Sequence, residues 1–388
     1  MEKHRLYVTL LGFMLGFSLL AILLMNLQLE KNDLGGNRKA FLASGWQQKT
    51  QGVTYSPPLS STRLFKTLRL NDRLHAINTV IFGSSTAMGV RADMFPPPMK
   101  AYNFAQTGNP LLSVIGEAEY VEEHDPQIVN LVIPLDWSLD FIYMKGNPVP
   151  ADLSEPEPQK EEKGPPFLSR VKDAMSLPRI RNLSIVLLDI MKSKQKWDAA
   201  RTIFFEPSGS DYRCPDGTVA RDYDTMYRGT CTGFRYDGSA TFANLERVQS
   251  SEVPSLILGS TIPSSKYSEA LQDSKGMPSP VMLAALSKIV RKAKGRVIFF
   301  MPPLLPGMEK KFTEMPGYSE DLMRTKSALD EWAKKEKVVI IDAGQSEKYG
   351  CVPSEFVDQH HALYTCYEKI FSKFWKEGGK REGIYAPR

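Results

Sequence analysis

Histidine is scarce in this chain, with five in 388 residues, at positions 4, 75, 124, 360 and 361. Cysteine is scarcer, with four, and neither C-x-x-C nor H-E-x-x-H spacing occurs. That leaves no signature of a zinc or dithiol redox centre. No long block of one charge exists either: 49 Lys and Arg are interspersed with 44 Asp and Glu, for a net charge of +5. A nucleic-acid groove is therefore not indicated, and nucleic acid is not an expected partner. Apolar residues make up 42% of the chain, so neither disorder nor wholesale membrane insertion is expected. The length suits one large domain with insertions, or two domains.

One long apolar run is present. Lys3, His4 and Arg5 precede an uncharged stretch from Leu6 to about Leu27, and Glu30-Lys31 ends it. A run of this length can cross a bilayer as a helix, and the positive flank keeps its front end cytoplasmic. A cleaved signal peptide would have a shorter apolar core and an A-x-A-like site, which Met25-Asn26-Leu27-Gln28-Leu29 does not offer. The expectation is an uncleaved anchor over residues 1–30, with the remaining body exported (periplasmic or extracytoplasmic). The cysteines suit that compartment. Cys214 and Cys231 bracket one short segment and Cys351 and Cys366 another. Two local disulfides, Cys214–Cys231 and Cys351–Cys366, are expected, four unrelated reduced thiols being the alternative.

After a linker and lead-in over residues 31–70, with Gly35-Gly36 and Pro57-Pro58, the chain takes up a strand–helix rhythm. His75–Phe82, Lys100–Ala105 and Ile128–Leu135 read as strands. A helix is expected from Asn109-Pro110 to about Glu123, with Asn as its cap and Pro at its first position. The rhythm lapses over 145–275, a large insertion. Its first part, to Gly164, is rich in Pro, Glu and Lys, Leu183–Met191 is helix-like, and Ser208–Phe242 is rich in Tyr, Gly, Asp and Arg. Such residues suit sugar contacts, and equally suit the packing of irregular loops. Helices at Pro280–Ala293, Ser319–Lys335 and Leu363–Trp375 then alternate with strands at Arg296–Met301 and Val338–Asp342. The pattern predicts an α/β fold, a doubly wound parallel sheet of five strands in two parts, 71–144 and 276–388.

Two stretches carry chemistry. Thr79-Val80-Ile81-Phe82 runs into Gly83-Ser84-Ser85-Thr86, a buried strand meeting a tight turn at the carboxyl edge of the sheet, where open α/β folds hold ligands. Ser85 is the candidate nucleophile there, and helix capping by these hydroxyls is the plain alternative. Asp358-Gln359-His360-His361 follows the last strand and reaches the same edge. A serine, an imidazole and a carboxylate converging there can deprotonate a hydroxyl and steady the resulting imidazolium. His361 is the candidate base, Asp358 the residue that orients it, and His360 a competitor for the base. A metal on Asp358, His360 and His361 is the other reading of the loop. No cofactor or metal is expected.

Gly83-Ser84-Ser85, Gly108 and Asp358-x-x-His361 resemble, in order, the blocks of the SGNH/GDSL hydrolase superfamily. Phe82–Thr86, Phe95-Pro96-Pro97, Ala101-Tyr102-Asn103-Phe104-Ala105-x-x-Gly108 and Phe356–Leu363 are closest to its membrane-tethered branch, which includes proteins of the DltD type and of alginate O-acetylation. The resemblance covers about half the chain and omits the insertion. It implies an SGNH/flavodoxin-like sheet, with Ser85 as nucleophile, His361 as base and Asp358 orienting it. The backbone N–H groups of Ser85 and Gly108 are then oxyanion donors. Two departures stand out. Ser84 replaces the usual aspartate, and Pro134-Leu135-Asp136-Trp137-Ser138 lacks the oxyanion asparagine, which leaves Asn109 as a substitute donor. The resemblance further implies acyl transfer to a cell-envelope polysaccharide or similar polymer, with a membrane-bound O-acyltransferase as partner. An esterase acting on the same polymers, or a non-catalytic binding protein, is the alternative.

Overall fold

The computed structural model describes residues 2–31, 38–55, 62–136, 141–154, 167–205, 210–223, 229–260, 273–314 and 318–377. Strands follow the chain as β1 (Val53–Thr54), β2 (Thr79–Ile81), β3 (Ala101–Asn103), β4 (Asn130–Pro134), β5 (Tyr212–Arg213), β6 (Val219–Arg221), β7 (Val297–Met301) and β8 (Val339–Asp342). The first seven helices are α1 (Glu2–Lys31), α2 (Arg38–Thr50), α3 (Thr62–Arg73), α4 (Leu111–His124), α5 (Phe167–Ala174), α6 (Leu177–Lys192) and α7 (Lys196–Phe205). Two compact units result, one of residues 66–155 and 234–388, the other of residues 1–65 and 156–233.

The first unit is built on a five-stranded sheet in the order β3-β2-β4-β7-β8, every neighbouring pair parallel. Val80 lies opposite Tyr102 on one side and Leu131 on the other. Every residue of β2, β3, β4 and β7 is buried, which explains their nearly continuous apolar sequence. Helices cover the sheet with apolar stripes at three- and four-residue spacing. Pro280–Lys292 buries Met282, Leu286, Ile289 and Val290, and Tyr364–Lys376 buries Tyr367, Ile370, Phe371 and Phe374. The sheet's first strand in the chain, β2, sits inside it, so the order reverses between β2 and β4. A cleft opens beyond the carboxyl ends of the strands at such a reversal.

The second unit contains α1, α2 and a three-stranded sheet, β1-β6-β5, with β1 parallel and β5 antiparallel to β6. The Cys214–Cys231 disulfide is formed beside it, and Val53, Cys214 and Ala220 share a small core. A second core joins Leu29 of α1 to Leu183, Val186 and Phe204 of α6 and α7. Among the described residues α1 is the one helix long and apolar enough to cross a membrane, over Leu6–Leu29.

Three sequence expectations are revised. Residues 31–70 are not simply a linker, because α2 and most of α3 lie within them. Lys66 and Arg69 are buried beside Phe65, Leu68 and Leu70, so the polar composition concealed a packed helix. Gly35-Gly36 and Pro57-Pro58, which suggested the linker, lie outside the described residues. The 145–275 insertion is divided: 156–233 belongs with the N-terminal segment, whereas 234–275 belongs with the parallel sheet. Of the Pro/Glu/Lys loop, 145–154 is irregular and 155–164 is not described. Finally, Pro110 rather than Asn109 caps α4. Asn109 turns its side chain inward instead, to Glu117.

Candidate active site

β2 ends in a turn that only glycine can begin. Gly83 has φ +136°, and a Cβ there would lie 2.5 Å from Pro134 Cγ and 2.9 Å from the Ala87 Cβ. Ser85–Ala87 then form a single 3-10 turn, capped by Ser84, whose Oγ accepts from the Thr86 N–H at 3.3 Å. The two readings of this stretch therefore fall on different residues. Ser84 is buried and caps, while Ser85 is half-buried and turned towards the loop after β8.

That loop folds around its carboxylate. Asp358 Oδ1 accepts the backbone N–H groups of His360 and His361 at 2.9 and 2.8 Å, and Oδ2 lies 2.6 Å from His361 Nδ1. The far side of the same imidazole, Nε2, lies 2.8 Å from Ser85 Oγ. Serine, histidine and aspartate are thus joined in one hydrogen-bonded chain across 276 residues of sequence. The Val357 N–H donates to His361 O, and the Leu305 N–H, after β7, donates to Gln359 O. The Cys351–Cys366 disulfide ties the base of the loop to the following helix.

The electrostatics keep Asp358 ionised. Burial alone would raise its pKa. The hydrogen bond from His361, the charges of His361 and His360 and the His360 N–H outweigh this and hold the carboxyl well below the usual carboxylate range. The His360 ring packs against that of His361, tilted by 42°, with ring centroids 4.0 Å apart. Burial, then the charge of His361, lowers the His360 pKa to about 4 against the pull of Asp358, so His360 is neutral at pH 7. Its Nδ1 is buried without a hydrogen-bond partner among the described residues. The D-x-x-H spacing singled out His361 over His360, and it is His361 that meets Ser85. Ligand atoms of Asp358, His360 and His361 lie within 4.8 Å of one another, as a metal site would require. Both Asp358 oxygens and both His361 nitrogens are, however, occupied by the contacts just described, and a metal would have to displace them.

The backbone donors expected for an oxyanion fall on the serine turn and on the turn after β3. Asn103 is fully buried, and its side chain donates to Ala87 O and Val90 O at 2.9 and 2.8 Å, fastening the serine turn to β3. The Gln106 N–H donates to Gly83 O at 2.9 Å. Gly108 follows with φ +66° and open space where a Cβ would stand. Asn109 Nδ2 donates to buried Glu117 at 2.9 Å and reaches Gly83 O at 3.5 Å. It therefore acts as a latch, and its amide is already committed. Asp136, which would oppose an oxyanion, also points elsewhere. It accepts Thr86 Oγ1 at 2.9 Å and Ser84 Oγ at 3.5 Å, and Tyr367 donates to Thr86 O. Trp137 and Ser138, from the same block, lie outside the described residues.

Sequence reasoning misses the clamps Asn103, Glu117 and Tyr367; Asp136 stands in the block that lacks the oxyanion asparagine, and Arg235 and Phe242, on the flank of the site, stand in the stretch rich in Tyr, Gly, Asp and Arg. Polar residues inside otherwise apolar strand and helix patterns were the available signal for the clamps. On the flank, the Phe242 ring lies 6.4 Å from that of His361, and Arg247 donates to Phe242 O at 3.1 Å. The Arg91 and Arg235 guanidinium carbons lie 5.0 and 5.7 Å from the centre of the Tyr364 ring. No single motif marks these positions. No protein-family model and no curated protein matches the chain.

Proposed function

We propose that this chain is a membrane-anchored, exported O-acyltransferase of the SGNH/GDSL type, acting on acyl esters of a cell-envelope polysaccharide or related polymer. The observation that carries the reading is the continuous Asp358–His361–Ser85 hydrogen-bond chain. The reversal of strand order beneath it supports a doubly wound SGNH-like fold.

In this mechanism His361 Nε2 takes the Ser85 proton as Oγ attacks the acyl carbonyl carbon. Charge develops on the carbonyl oxygen, which the backbone N–H groups of Ser85 and Gly108 receive. Collapse expels the donor alkoxide, which takes the proton from His361, and leaves acyl-Ser85. An acceptor hydroxyl then gives its proton to His361 and attacks, transferring the acyl group and regenerating Ser85. Asp358 remains ionised and stabilises the imidazolium at each step.

The aromatic and guanidinium flank of Tyr364, Phe242, Arg91 and Arg235 suits a sugar acceptor. Rings pack on sugar faces, and guanidinium forks bind oxygens. Retention of α1 as an anchor is supported by Leu29, which a cleaved leader would strip from its core with Leu183, Val186 and Phe204. Tethering favours supply by a membrane-bound O-acyltransferase, because it raises the effective concentration of donor and site.

The test uses the purified full chain with an aryl acetate donor and an oligosaccharide acceptor. Acyl-Ser85 is expected by mass spectrometry, and Ser85→Ala and His361→Ala should each lower turnover by roughly 10³-fold or more. Acylated sugar identifies a transferase, and release of acetate alone identifies an esterase. Turnover that survives both substitutions would sink the triad, and absence of any acyl-enzyme would favour a binding protein.

A further inference from the structure

The helices α5–α7, like α1, expose several large apolar side chains. Among the described residues, six large apolar side chains are at least 70% exposed. Phe13 belongs to α1, Phe167, Leu168, Leu177 and Trp197 belong to α5–α7, and Leu258 is the exception. The same helices are strongly basic. Residues 167–201 hold eight Lys and Arg against three Asp, a surplus of five that equals the net charge of the entire chain.

These helices pack on one end of the apolar span. From Leu6 to Leu20, every residue of α1 is exposed, whereas Ala21–Leu29 are mostly half-buried or buried. Ile22 and Leu29 pack against α6 and α7, Asn26 Nδ2 donates to Ala174 O at 2.7 Å, and Gln28 Nε2 donates to Phe204 O at 2.8 Å. Fifteen helical residues rise only about 22 Å, whereas the hydrocarbon core is about 30 Å thick. The missing depth, about 8 Å, falls on the part of α1 against which α5–α7 pack. Asn26 and Gln28 find carbonyl partners there, as buried amides in a low-dielectric setting must.

We propose that α5–α7 form a collar around the exported end of α1, embedded in the headgroup layer of an anionic leaflet. Apolar side chains enter the acyl boundary and the Lys and Arg meet lipid phosphates, as in interfacial helices. The collar rests on the anchor reading of α1 and is independent of the proposed acyl chemistry.

The described cysteines are all paired, so single-cysteine variants of the full chain can be labelled cleanly without reductant. Leu168→Cys and Trp197→Cys report on the collar, Leu15→Cys reports on the span, and the free dye adduct is the aqueous reference. Each is reconstituted in phosphatidylcholine vesicles with or without about 30% phosphatidylglycerol. Quenching by bromolipid is then compared with quenching by aqueous iodide. The expected result is strong lipid quenching at Leu15 and clear lipid quenching at both collar sites. The collar signal should rise severalfold with phosphatidylglycerol and lose that rise in a Lys192→Glu/Lys194→Glu/Lys196→Glu background. Collar labels that behave like free dye while Leu15 is lipid-quenched overturn the collar and leave the anchor standing. Lipid quenching that ignores both phosphatidylglycerol and charge reversal overturns the anionic-leaflet contact. A Leu15 label without lipid quenching removes the anchor, and the collar with it.

Discussion

At the scale of single residues, the site depends on glycines that differ in kind. Gly83 combines φ +136° with two side-chain atoms inside 3 Å of any Cβ, so Gly83→Ala should cost about 3 kcal/mol or more in denaturant unfolding. Gly108, with φ +66° and open space, should cost only about 1 kcal/mol as Gly108→Ala. Equal losses would show that space at Gly83 does not matter. His360 makes a second prediction. Its pKa is about 4 when folded against an ordinary 6.5, so between those values the unfolded chain binds a proton that the folded chain does not. Stability must therefore rise with pH across that window, by on the order of 3 kcal/mol, and His360→Gln should flatten the rise. Asp358 adds a rise of the same sign lower down. Its folded pKa is depressed, so its contribution is complete above the ordinary carboxylate range and is lost as pH falls through the folded value. Asp358 and His361 were legible because histidine is scarce and their spacing is local, and Ser85 because it stands where an apolar strand runs into a glycine turn. Asn103 and Glu117 were hidden because their partners lie in irregular turns whose paths no local pattern fixes.

At the scale of elements, the strands were legible because a parallel sheet covered on both faces demands near-continuous apolar runs. α3 was not, because its inward face carries Lys66 and Arg69, whose charge conceals their burial. α5 and α7 escaped notice because they are short, of 8 and 10 residues, too short for helical periodicity to stand out in a stretch without strand–helix rhythm. The loop carrying Asp358 and His361 is closed by a disulfide spanning 15 residues of sequence. Removing such a closure costs about 3 kcal/mol in the chain-entropy account. Cys351→Ser/Cys366→Ser should therefore lower stability by about that amount, read from denaturant midpoints. It should also depress aryl acetate turnover more than binding, because the base loop loses its fixed end. A variant with unchanged turnover would show that the hydrogen bonds to Leu305 and Val357 suffice to hold the imidazole.

At the scale of the whole molecule, sequence order and spatial grouping diverge. A chain starting at residue 32 lacks Leu29, Asn26 and Gln28, and so leaves the Leu183, Val186 and Phe204 cluster open and loses two side-chain amide contacts to it. Limited proteolysis of that truncation should cut first within 167–205, while the parallel-sheet unit, held by its own core, resists. Cleavage spread evenly over both units would contradict this division. The pairing of α1 with α5–α7 also has a consequence in time. Asn26 and Gln28 meet partners 148 and 176 positions later. Ribosomes add about 5–20 residues per second, so the N-terminal helix waits roughly 7–35 s for its neighbours to be made. During that interval its two amides must be hydrated or held by the export machinery, and residues 66–155 emerge while it waits. The helix thus reaches these contacts only long after it has been made.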